Sequence, residues 1–150
     1  MKIKNTLLVS ALITSFGSTA IAARDCSDIR GEWTTNVNAT IRFESIDKKT
    51  GLLSGTYFSV TPPSRPFPLT GFIGVNTPTK EGMHNAIPIS FAVSFPTDGE
   101  MISWTGICRL VDGKPVLETE DHIVSASASN RWIHVAANHD TIVPKPKKAP

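Results

Sequence analysis

The chain is poor in the features that mark most enzymes and nucleic-acid binders. Only 7% of its residues are aromatic and 19% are charged, and the formal net charge is +2. That balance is too slight to build a basic face for nucleic acid or for a membrane surface. There are two cysteines, Cys26 and Cys108, and no C-x-x-C, so the chain carries neither a redox pair nor a zinc ribbon. No G-x-S-x-G elbow and no H-E-x-x-H is present. His84, His122, His134 and His139 lack metal-ligand spacing. Asp121 and His122 are adjacent on a predicted strand, so their side chains face opposite ways. Catalysis, metal binding and a bound cofactor are therefore not expected. No segment of useful length repeats with helical periodicity, and no apolar run is long enough to span a membrane.

What is there begins with an export signal. Lys2 and Lys4 form a basic start, an apolar stretch runs from Leu7 to Phe16, and Ala20-Ile21-Ala22 supplies an A-x-A cleavage site. The competing reading of residues 1–22 is a short buried helix. Cleavage after Ala22 would leave a mature chain without net charge, secreted or periplasmic. In an oxidising compartment two cysteines most often join, though two buried free thiols would also fit.

The mature chain reads as strands throughout. Ile87, Ile89, Phe91, Val93 and Phe95 alternate with Pro88, Ser90, Ala92 and Ser94, which is strict period two. Similar segments lie near 29–36, 39–46, 52–60, 67–75, 101–110, 115–124 and 131–143. Turn residues separate them, among them Asp47-Lys48-Lys49-Thr50-Gly51, Thr61-Pro62-Pro63-Ser64, Pro96-Thr97-Asp98-Gly99 and Asp112-Gly113. Short strands joined by short turns predict an all-β domain over 23–143, either an eight-stranded antiparallel up-and-down barrel or a sandwich. A barrel of that size can hold one small ligand. Residues 144–150 form a Pro/Lys tail expected to be disordered.

Polar groups on inward faces are the candidates for chemistry. Tyr57 and Ser59 share a face with Leu53 and Gly55, Asp140 shares one with Ala136, Asn138 and Ile142, and Trp104 shares one with Ile102. Hydroxyl donors, a carboxylate acceptor and an aromatic wall would suit a small ligand with a polar head. Equally, Tyr57 and Ser59 could bond each other or backbone, and Asp140 could cap a barrel end.

The residues resemble one family. Cys26-Ser27-Asp28-Ile29-Arg30-Gly31-Glu32-Trp33-Thr34 looks like the first strand of avidin, and Gly55-Thr56-Tyr57-Phe58-Ser59 resembles the G-T-Y-x-S of streptavidin. Pro68-Leu69-Thr70-Gly71, Trp104-Thr105-Gly106-Ile107-Cys108 and Gly113-Lys114-Pro115-Val116-Leu117 are similar to later strands of that family. Trp132 and His139-Asp140-Thr141 resemble its last strand. The resemblance to the avidin and streptavidin family covers about 24–143 and implies a barrel that binds biotin, performs no chemistry and forms a homotetramer, or in some members a homodimer. It implies a Cys26–Cys108 bridge. Tyr57 and Ser59 match donors to the ureido oxygen, Asp140 the acceptor of a ureido N–H, Trp104 and Phe95 pocket walls, and Trp132 the tryptophan lent by a neighbouring subunit. Thr35 falls on the position of an asparagine donor, with Asn36 able to serve if the strand shifts, and Ile123 lies on the same inward face as Asp121.

Some positions depart from the family pattern. Asp121 stands where the family has a tryptophan, Glu100 where a serine helps hold the biotin carboxylate, and Ile102 where a threonine lies near the ring sulfur. Pro62 and Pro63 lack the N–H that some members offer the carboxylate. On this pattern the head-group end is kept and the tail end rewritten. That fits weakened biotin binding, a ureido relative with a different tail, or a barrel that has lost tight biotin binding and serves another ligand or a structural or interaction role.

Overall fold

A computed structural model describes residues 26–60, 64–75, 86–127 and 134–146. Eight strands follow one another: β1 (Gly31–Thr34), β2 (Thr40–Ile46), β3 (Leu52–Phe58), β4 (Pro66–Ile73), β5 (Ile87–Phe95), β6 (Glu100–Val111), β7 (Lys114–Ser125) and β8 (Val135–Pro144). Each pairs antiparallel with the next, and β8 returns to β1, so the sheet is a closed barrel rather than a sandwich. No helix occurs among the described residues. The order and number of the expected strands hold, and their ends move by up to a few residues. Pro144 is the last residue of β8, and the Lys145 amide donates to the Glu32 carbonyl, so the expected tail begins later than Pro144. Its residues 147–150, like the signal segment 1–22, lie outside the described residues.

Alternation decides which residues face inward. Residues of β5 are buried at Ile87, Ile89, Phe91, Val93 and Phe95 and turned outward or half-buried between them. Every other strand residue therefore enters the lumen. The tight β6–β7 hairpin is set by Asp112 and Gly113, whose φ angles of 51° and 74° are those a two-residue primed turn requires. At Gly106 the strands approach so closely that a Cβ would run into the Glu118 carbonyl of the neighbouring strand.

The lumen is packed from one end. Trp33 is fully buried and its indole N–H donates to the Ile29 carbonyl at 2.7 Å. From it an aromatic column climbs the lumen. Trp33 meets Phe43 edge-on at 6.2 Å between centroids, Phe43 meets Phe91 at 5.3 Å, and Phe91 stacks on Trp104 at 5.0 Å. Such pairs each add roughly 0.5–1.5 kcal/mol beyond their buried area. They also fix Trp104 from below.

Cys26 and Cys108 are joined, with Cα atoms 5.6 Å apart and a sequence separation of 82. The bridge ties the segment before β1 to the inner face of β6 at this packed end. A loop of that length constrains the unfolded chain by roughly 4–5 kcal/mol in the chain-entropy picture. Chemical denaturation should therefore show a loss of several kcal/mol once the bridge is reduced. Intact mass of the native protein should lie about two daltons below that of the reduced form. Two native thiols open to alkylation without reductant would contradict the bridge.

Candidate functional site

Above the aromatic column the lumen opens into a cavity of about 490 Å³. Its walls are ordered by register across β6, β7 and β8. At the deepest level Gly106 of β6 pairs with Thr119 of β7, which pairs with Asp140 of β8. Next come Trp104, Asp121 and Asn138, and then Ile102, Ile123 and Ala136. Glu100 and Ser125 pair at the rim. Tyr57 of β3 and the β1–β2 turn, Thr35 to Val37, complete the lining.

Asp140 is the centre of the site and is 4% exposed. Its Oδ1 accepts the Asn36 backbone N–H at 2.9 Å, and its Oδ2 accepts the Trp104 indole N–H at 3.3 Å. Two further bonds hold the same corner. The Asn36 side-chain amide donates to the His139 carbonyl at 3.0 Å, and the Thr119 hydroxyl donates to the Asp140 carbonyl at 3.3 Å. A carboxylate has about four lone-pair positions, so two protein donors leave capacity for a ligand N–H.

Tyr57 faces Asp140 across the lumen. Its ring is buried against Phe95 at 5.7 Å and Trp104 at 5.8 Å between centroids. Its hydroxyl has no hydrogen-bond partner among the described residues, although the residue lines the cavity. Burial raises its pKa above the ordinary 10.0, and the negative charges of Asp140 and Asp121 raise it further. The hydroxyl thus keeps its proton, as a donor to a ligand oxygen must.

The other expected residues are placed as follows. Thr35 and Asn36 both line the cavity: the Thr35 hydroxyl oxygen accepts the Ala39 N–H at 3.0 Å, and Asn36 reaches Asp140. Trp104 and Ile123 line it as well. Phe95 is buried behind the lining, wedged between Tyr57 and Phe67. Ser59 follows the end of β3, and its hydroxyl oxygen accepts the Arg65 N–H at 3.2 Å in the β3–β4 connection, away from the lining. Trp132, Pro62 and Pro63 lie outside the described residues.

Asp121 and Glu100 separate. Asp121 sits at the level of Trp104, whereas Glu100 lies four residues further along β6, roughly 13 Å at the rise of a strand. Asp121 is 7% exposed and its Oδ2 accepts the Asn138 amide at 3.1 Å. Asn138 and Thr119 were not among the expected site residues. Both sit on inward positions of their strands, so alternation alone marks them.

The sequence model of the avidin family matches residues 23–145. The chain belongs to the avidin family. Solved structures with the same fold include xenavidin, 24% identical with a TM-score of 0.63, covering 79% of this chain and 97% of that one. Bradavidin is similar at 23% identity and a TM-score of 0.62, covering 78% and 80%. A biotin-binding protein from chicken is similar at 19% identity and a TM-score of 0.64, covering 81% and 100%. None of the curated protein sequences matches the chain.

The chain has one tyrosine, so phenolate absorbance reports Tyr57 alone. Its titration midpoint should lie above 10.0 in the native protein and return to the ordinary value on unfolding. Because the folded value is raised, Tyr57 contributes stability below the unfolded midpoint and loses it as pH rises through the folded one. A native midpoint at or below 10.0 would contradict the buried, acid-facing placement.

Proposed function

We propose that the protein binds biotin, or a ligand sharing its cyclic ureido-type head, inside the barrel and performs no chemistry on it. The observation that carries this reading is the meeting of a buried donor and a buried acceptor in one cavity. The Tyr57 hydroxyl has no described protein partner, and Asp140 has capacity beyond Asn36 and Trp104. A head group with a C=O beside N–H groups answers both, with Tyr57 donating to the oxygen and the Asp140 carboxylate accepting an N–H. Trp104, held by Phe91, supplies the flat wall. Donors fixed before the ligand arrives lose little freedom on binding, which favours affinity. Family membership and the likeness to the chicken biotin-binding protein point the same way.

The alternative barrel, with its pocket filled or bridged by Asp121, is less favoured. Asp121 is drawn to Asn138 on the wall, and about 490 Å³ remains beside it.

Calorimetric titration with biotin tests the reading. Binding should be measurable, and Asp140→Asn should weaken it by about 1.5–3 kcal/mol, the scale of a hydrogen bond to a charged acceptor. Tyr57→Phe should cost about 0.5–3 kcal/mol, depending on how much charge the ligand oxygen carries. Absence of heat with biotin, desthiobiotin and biotin amide alike would overturn it.

We further propose that the exported chain assembles as a homotetramer, with a homodimer as the lesser assembly. Export is supported by the signal-like residues 1–22 and by the disulfide. Assembly is supported by the outside of the barrel. Met101, Val124 and Val135 pair directly across β6, β7 and β8, forming an outward row 52%, 44% and 58% exposed. Exposed apolar residues in register form a contiguous patch of the sort found at subunit contacts. Light scattering should give an oligomer, and Val124→Asp should reduce its mass. A monomer at micromolar concentration would overturn this proposal.

A further inference from the structure

Asp121 and Asp140 occupy neighbouring levels of the same wall. Asp140 pairs with Thr119 and Asp121 with Asn138, so the two carboxylates lie on a diagonal of the β7–β8 pair. Diagonal neighbours on one sheet face are about 7–8 Å apart, within reach of one small ligand. Both residues are buried and both line the cavity. Asp140 receives protein donors on both oxygens. Asp121 receives one on Oδ2, and no described residue donates to its Oδ1.

The described lining holds no lysine or arginine. From β3 the acids face Tyr57, and from β6 they face Trp104, with Glu100 out at the rim. The β1–β2 turn contributes Thr35, Asn36 and Val37, none of them charged. The His139 ring turns to the outer face, where its Nδ1 lies 3.0 Å from Glu120 Oε1. Buried acids gathered without a cation are costly unless something of opposite charge joins them. A second polar group also awaits a ligand: Tyr57 is 7% exposed, and its hydroxyl has no partner among the described residues.

We propose that Asp121, acting with Asp140, makes this cavity select a ligand whose ring head is a cation rich in N–H groups, a cyclic guanidinium or amidinium, over the neutral urea. The proposal rests on the reading that the cavity takes a biotin-like head. A planar guanidinium presents N–H donors along more than one edge, so one edge meets Asp140 and another meets Asp121 Oδ1. The exocyclic nitrogen then stands where the urea oxygen would be, and Tyr57 accepts its N–H, because a phenol accepts as well as donates. A tryptophan at position 121 would offer neither charge nor acceptor.

The probe is 2-iminobiotin, in which the ring C=O of biotin is replaced by a cationic C=NH₂⁺. At neutral pH, calorimetry on the exported protein should show it binding about tenfold or more tightly than biotin, the scale of one added charge pair several ångströms apart in a partly screened site. Asp121→Asn should shift the ratio of the two affinities towards biotin by a similar factor, and Asp121→Ser serves if the first variant does not fold. Equal or weaker binding of 2-iminobiotin than biotin by the natural chain would overturn the proposal while leaving the biotin-type reading intact. A preference unchanged in both folded variants would overturn the role of Asp121. If neither ligand binds, both readings fall.

Discussion

The barrel closes where β1 meets β8, and that seam is short. Two residue pairs join the strands, Trp33 with Pro144 and Thr34 with Val143. Beyond them the ladder gives way to side chains. Asp140 of β8 accepts the Asn36 N–H and the Asn36 side-chain amide reaches the His139 carbonyl, while at the other end one more backbone bond runs from the Lys145 N–H to the Glu32 carbonyl. Unpaired strand edges invite association with other chains, and closure also creates the lumen. Asp140 therefore belongs both to the seam and to the cavity. A side chain held by the architecture on both oxygens is fixed in place before any ligand arrives.

The aromatic column does the same for the β6 side of that wall. Trp104 is clamped between Phe91 below and Tyr57 beside it, while its indole N–H reaches over β7 to Asp140. Donor, acceptor and wall are thus one connected unit. The disulfide anchors the packed end beneath it, on the inner face of the strand that carries Trp104.

Much of this was legible in the sequence because alternation is a local property. The period-two run from Ile87 to Phe95 is the β5 of the structure, residue for residue. Inward positions such as Tyr57, Trp104, Asp121 and Asp140 also follow from alternation alone. Depth does not. It depends on the stagger between neighbouring strands, which no single strand encodes. Glu100 and Asp121 both read as tail-end acids, yet the register sets them at different levels. Where a strand stops is also set by tertiary pairing. Ser59 shares the parity of Tyr57, but β3 ends at Phe58, and the serine hydroxyl turns into the next connection. At the other terminus Pro144 reads as tail because it opens a Pro/Lys-rich stretch, and yet it closes the barrel against Trp33.

Because the lumen is layered, each long strand carries two kinds of inward position. On β6, Cys108 belongs to the packed end, while Trp104 and Ile102 belong to the cavity. On β7, Leu117 is core and Asp121 and Ile123 are lining. A lining position outside the seam and the aromatic column, such as Ile123, borders the cavity without belonging to the packed core below. At such positions the ligand contacts can change with little effect on the packed end. A barrel of this kind can keep its fold at very low sequence identity while its lineage explores new ligands through a handful of sites.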